Sequence, residues 1–126
     1  MTIIELQNAL ERSWCIDTAY YSDRAAWSIE NKAVGQCTVT AMIVYDFFGG
    51  TIIRGYSQKY NLYHFWNVVD GKKIDLTFSQ FLKDKNDICF TNIVVRRKDQ
   101  LLKISNVRER YTILRNRVEE ELSKQP

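Results

Sequence analysis

The sequence predicts an α+β fold, a small antiparallel sheet packed with helices. Three observations carry that expectation. Both ends of the chain have helical apolar spacing. Residues 51–76 hold strand-like runs joined by the Asp70-Gly71 hairpin signal. Between the first helix and those runs lies one apolar stretch, from Cys37 to Phe48, closed by Gly49-Gly50. With 126 residues, 45% hydrophobic and 13% aromatic, the chain suits one domain, 1–126, with its own core.

The elements follow in order. Thr2-Ile3-Ile4-Glu5 is a capping box, so a helix is expected over 2–14 with Ile3, Leu6 and Leu10 on one face. Residues 15–33 lack a period and read as a long loop with short turns. A buried helix then opens at Cys37 and ends near Phe48 at a glycine cap. Strands are expected at 51–57 and 61–69, the second placing His64 and Trp66 on one face and Phe65 and Asn67 on the other. A short strand, KKIDL, follows the turn. Thr77-Phe78-Ser79-Gln80 is a second capping box, opening a short helix at 78–83. A strand is expected over 88–95 and a helix over 98–104. The last helix, 107–123, aligns Val107, Tyr111, Leu114, Val118 and Leu122.

Composition narrows the function classes. Cys15, Cys37 and Cys89 are odd in number and widely spaced, which fits neither a disulfide framework nor a zinc pattern. The first residues lack the layout of a signal peptide, and no run approaches a membrane span of roughly 20 apolar residues. A reduced, cytoplasmic protein without membrane association is expected. From Arg96 onward there are nine Lys/Arg against five Asp/Glu. Acidic residues are mixed into that stretch and no nucleic-acid motif accompanies it, so nucleic acid is an unlikely partner and a solvated helix face is the better reading. No phosphate loop, dinucleotide fingerprint or metal-ligand cluster is present, so neither a metal nor a cofactor is expected.

His64 is the chain's sole histidine. For proton transfer near neutral pH it is the obvious side chain. Cys37 follows Gly35-Gln36 and opens a helix, where free N–H groups and the helix dipole favour a thiolate and can also hold an oxyanion. Asp75 lies across the hairpin from His64, where it can orient the imidazole. Cys37, His64 and Asp75 are therefore the candidate catalytic residues. Gln36 beside the cysteine, Trp27 in the preceding loop and Trp66 on the His64 face are candidates for oxyanion or substrate contact. Each also has a plainer reading: turn formation for Gln36, loop anchoring for Trp27, core packing for Trp66. Cys15 and Cys89 read as small buried hydrophobes.

The segments Gly35-Gln36-Cys37, His64-Phe65-Trp66-Asn67, Asp70-Gly71 and Asp75-Leu76-Thr77-Phe78-Ser79-Gln80-Phe81 resemble those of the YunG family of small bacterial proteins. The resemblance runs from about Trp27 to Phe81 and implies a fold more readily than an activity. A looser similarity is to transglutaminase-like and papain-like cysteine enzymes, where a helix-opening cysteine precedes an H-x-W strand and an aspartate. His64-Phe65-Trp66 and Asp75-Leu76-Thr77 match that layout, with leucine in place of the usual proline. The similarity implies a papain/transglutaminase-like core.

The expected function is a thiol-dependent hydrolase or acyl transferase acting on a peptide or a small amide or ester. Its chemistry would be of peptidase, deamidase or transamidase type. The alternative is an inactive binding module of the same fold, with Cys37 protonated and buried. Substrate, pathway and oligomeric state are not legible in the residues.

Overall fold

The structure, a computed structural model, describes residues 1–82, 84 and 88–124. Helix α1 (Ile3–Ser13) is capped by Thr2, whose hydroxyl accepts the Glu5 N–H at 3.1 Å. Its apolar stripe, Leu6, Ala9 and Leu10, is fully buried and packs against the C-terminal helix α4 (Ser105–Ser123). Between them in sequence lies α2 (Cys37–Phe48), buried continuously from Val39 to Val44. A helix apolar on all sides belongs in the centre of a core, and α2 packs against both α4 and the sheet.

The sheet has four antiparallel strands in the order β3-β2-β1-β4: β1 (Thr51–Ser57), β2 (Leu62–Val69), β3 (Lys72–Ile74) and β4 (Thr91–Arg96). Ile52, Phe65 and Val69 join the core on the α2 face. Asn67 shares that face and donates from Nδ2 to the Ala41 carbonyl at 2.9 Å. His64 and Trp66 point the other way, under Phe81 and Phe90. This is the period-2 division that the sequence implies.

Gly50 follows α2 so closely that a Cβ there would lie 2.1 Å from the Val68 carbonyl oxygen, at a positive φ of 74°. Only glycine fits such an approach. Gly55 is registered opposite His64, and a Cβ there would sit 2.7 Å from the Trp66 ring and 2.8 Å from Phe90. Gly55→Ala must therefore displace the aromatic cover of His64. A loss of about 1–3 kcal/mol is expected for such overpacking, measurable by denaturant titration.

Several expected elements differ. Residues 88–90 do not belong to the sheet, because Phe90 turns to stack 5.5 Å from His64 before β4 begins at Thr91. The expected helix at 78–83 is a single 3-10 turn, Phe78–Gln80, and Thr77 does not cap it with its side chain; Lys83 lies outside the described residues. A four-residue α3 (Lys98–Leu101) stands where a longer helix was expected. Helix α4 starts two residues before the expected Val107, and it buries Val107, Leu114 and Val118 as the spacing requires.

Candidate active site

Cys37 is the first residue of α2, reached through a tight turn. Gly35 has a positive φ of 74°, and its carbonyl accepts the Tyr20 N–H at 2.9 Å. A Cβ at Gly35 would lie 2.8 Å from that same nitrogen. The turn is thus clamped onto the loop that precedes it. Gln36 does the clamping. It is 0% exposed, accepts from the Thr18 hydroxyl at 2.8 Å and donates from Nε2 to the Cys15 carbonyl at 3.0 Å. Both ends of its amide are engaged, so it anchors the turn. Trp27 is likewise committed: its indole N–H donates to the Lys32 carbonyl at 3.0 Å, which closes its own loop and takes it off the candidate site.

His64 is 0% exposed. Its Nε2 lies 2.7 Å from Asp75 Oδ2, a hydrogen-bonded contact between adjacent strand ends. Asp75 is itself held from behind, since its Oδ1 accepts from the Thr77 backbone at 3.3 Å and the Thr77 hydroxyl at 3.4 Å. Thr77 therefore supports Asp75 and does not form the expected capping box. Three aromatic rings enclose the imidazole: Phe81 edge-on at 5.0 Å, Phe90 stacked at 5.5 Å and Trp66 at 6.1 Å. Trp66 covers the ring from the strand face and carries Lys73 Nζ 4.8 Å above its own ring. It does not line the cavity in front of Cys37, so it shields the imidazole without a place for substrate contact.

With Nε2 committed to Asp75, Nδ1 is the nitrogen left for the thiol. It is buried and has no hydrogen-bond partner among the described residues. The thiol is nevertheless close enough for each group to shift the other. Burial alone would push the Cys37 thiol up. Interaction with His64, the Phe65 backbone and the Thr38 hydroxyl outweighs it, and the net pKa lies below the ordinary value. Burial would likewise push His64 down, but the Asp75 hydrogen bond and the thiolate raise it to about 9. Opposite shifts of this kind favour a thiolate beside an imidazolium.

Cys37 is partly exposed and opens onto a cavity of about 490 Å³. Tyr20, Asp23, Tyr63, Gln80 and Arg110 contribute to its wall. Gln80 and Arg110 are the residues that reading by motif passes over. Gln80 Oε1 is buried without a hydrogen-bond partner among the described residues. Arg110 is 2% exposed. A positional signal for it did exist: residues 107, 110, 114 and 118 keep helical core spacing. Among the other cysteines, Cys15 is half-buried and Cys89 is exposed, which corrects its reading as a core residue.

Several basic side chains of the C-terminal third are engaged within the fold. Lys98 and Arg115 both pair with Asp46, Arg117 donates to the Ser13 carbonyl at 2.7 Å, and Arg110 is inside. Among the described residues, no group of three or more His, Cys, Asp or Glu is placed to hold a metal ion, and no helix is long and apolar enough to cross a membrane.

Comparison with known proteins gives a family but no activity. The family model described as YunG protein matches residues 2–123. The uncharacterized protein YunG of Bacillus subtilis (strain 168) is 35% identical over 72 residues, which are 57% of this chain and 56% of that protein. The match thus spans little more than half the length of this relative. No solved structure matches the chain.

Proposed function

This chain belongs to the YunG family, and on that footing we propose that it is a thiol-dependent hydrolase or acyl transferase with Cys37 as nucleophile, His64 as proton carrier and Asp75 as the group that orients His64. The observation that carries this reading is the buried imidazole held at 2.7 Å by Asp75 with its other nitrogen left to the sulfur at the head of α2. A helix-borne cysteine followed by strand-borne histidine and a nearby aspartate is also the layout of a papain/transglutaminase-like core.

The chemistry balances without a cofactor. The Cys37 thiolate attacks an amide or ester carbonyl, and the carbonyl electrons move onto oxygen. Backbone N–H groups at the start of α2 are the available donors for that oxyanion. The intermediate collapses as the carbon–nitrogen or carbon–oxygen bond breaks, and the His64 imidazolium gives its proton to the leaving group. His64, now neutral, takes a proton from water or an amine as that nucleophile attacks the thioester. The thiolate and imidazolium are then restored. Asp75 keeps its charge throughout and stabilises the imidazolium.

An activated ester such as p-nitrophenyl acetate tests this directly. The expected result is a burst of one nitrophenol per chain with an acetyl adduct mapped to Cys37, absent in Cys37→Ser. An adduct spread equally over Cys15, Cys37 and Cys89, or none at all, would overturn the proposal.

A further inference from the structure

The cavity wall carries a charge that the reaction above does not use. Arg110 projects from the buried stripe of α4 and is 2% exposed, yet it lines the space in front of Cys37. Its hydrogen bonds are long and reach only neutral oxygens. Nη1 donates to the carbonyls of Thr18 and Gly35, both at 3.4 Å, and Nη2 donates to Asn106 Oδ1 at 3.4 Å. Nε is buried with no partner among the described residues. Among the described residues, Arg110 makes no salt bridge. A buried guanidinium without a bound carboxylate is an expensive arrangement, and burial accordingly lowers its pKa. It persists where something else supplies the missing anion.

The charges around the cavity show when that anion is wanted. Arg96 and Arg110 line it with one carboxylate, Asp23, which burial raises and Arg110 lowers. The Cys37 thiolate is the second negative group and acts on Arg110 electrostatically. With the thiolate in place the wall is balanced. Acylation consumes that thiolate together with the His64 proton, and Arg110 is left lining the cavity with no carboxylate bonded to it among the described residues. Gln80 adds a buried acceptor, Oε1, with no donor of its own.

We propose that Arg110 is a specificity-determining residue, and that the cavity takes amides or esters that carry a carboxylate or similar anionic group near the reacting carbonyl. Arg110 pairs with that group and gains the anionic partner it lacks. Gln80 Oε1 accepts an N–H from the same substrate. This inference rests on the nucleophilic role of Cys37 and names the substrate class for it. Arg is suited to the task because its planar fork matches a carboxylate and stays charged at any working pH.

The experiment compares two small alkylating probes of similar size and opposite character, anionic iodoacetate and neutral iodoacetamide, on the full chain. Rates at Cys37 are read by peptide mapping against exposed Cys89. The expected iodoacetate-to-iodoacetamide ratio at Cys37, normalised to Cys89, is roughly tenfold at about pH 7. The His64 imidazolium also attracts an anion, so the ratio is repeated at about pH 10, above the value of about 9 for His64. There the ring is neutral, Arg110 is not, and a several-fold preference should survive. Arg110→Gln should abolish the remainder and Arg110→Lys should keep part of it. Should the Gln variant fail to fold by circular dichroism, the high-pH ratio of the wild-type chain is compared with that of Arg96→Gln, which removes the other cation of the wall. A preference lost with Arg96 overturns the inference. A ratio at Cys37 no greater than that at Cys89 at about pH 10 overturns the inference. The acyl adduct with p-nitrophenyl acetate would be unaffected by that outcome, so the nucleophile and its specificity fail separately.

Discussion

His64→Gln should lower the iodoacetamide alkylation rate of Cys37 at about pH 6 by several-fold or more. The reasoning starts from the thiol. Burial opposes its ionisation, and the imidazole is the foremost of the groups that overcome burial. Glutamine fills part of the same space and keeps a polar end, but it carries no charge and accepts no proton. Cys37 would then behave as an ordinary thiol of pKa about 8.5 or higher, with well under about 1% thiolate at pH 6. Only the thiolate alkylates, so the rate follows that fraction. The start of α2 still favours a negative sulfur, which limits the fall. Cys89, which is exposed, supplies the internal reference. An unchanged rate at Cys37 would mean that the imidazole does not act on the sulfur.

Asp75→Ala should destabilise the fold by about 3 kcal/mol near pH 6, the range found when one partner of a buried charged pair is removed. For a chain of this size that is a fall of roughly 10 °C in Tm. Two losses combine. The His64 imidazolium, 0% exposed, loses the carboxylate at 2.7 Å, and the Thr77 N–H loses its acceptor. The effect depends on pH, with a sign set by His64. Its folded value of about 9 stands above the ordinary 6.5. The stability it contributes is therefore complete below about pH 6.5 and is lost as pH rises through about 9. The penalty of Asp75→Ala should shrink across that window. Cys37 has the opposite sign: held below its ordinary value, it contributes stability above that value, lost as pH falls through the folded one. Both chains keep Cys37, so the difference between them reports on Asp75. Guanidinium titrations of both chains at about pH 6 and about pH 9.5 measure it. An equal penalty at both would mean that Asp75 serves Thr77 and the turn, not the imidazolium.

The backbone framework was legible because it rests on local rules. Helical spacing marked α1 and α4, an unbroken apolar run marked α2, and Asp70-Gly71 marked the hairpin. The neighbourhood of Cys37, His64 and Asp75 followed from the same rules, since a helix start, a strand and the hairpin partner beside it have defined directions. Strand β3 nevertheless ends at Ile74 and leaves Asp75 just past it, where the expected strand KKIDL would have included it. What was not legible depended on distant partners. Gln36 and Trp27 sit where substrate contacts are plausible, yet their polar ends are taken by Thr18, Cys15 and Lys32. No spacing rule anticipates which carbonyl a buried amide will find. Thr77 has a capping sequence but turns back to Asp75, because a carboxylate two residues away is a stronger acceptor than the ends of a single 3-10 turn. Arg110 was the reverse case. Its spacing said core and its charge said surface; spacing prevailed, because long helix α4 cannot rotate one residue out of a stripe held by Val107, Leu114 and Val118.

The pH titration of the Cys37 thiolate reaches the central claim with the fewest intervening steps. The ultraviolet thiolate absorbance of the wild-type chain, minus that of Cys37→Ser, isolates this one sulfur from Cys15 and Cys89. The account predicts a difference signal whose midpoint lies below the range near about 8.5 where a free cysteine ionises. A difference signal that appears only at about pH 8.5 or above would contradict it, because a protonated sulfur at neutral pH is neither a partner for the His64 imidazolium nor a nucleophile.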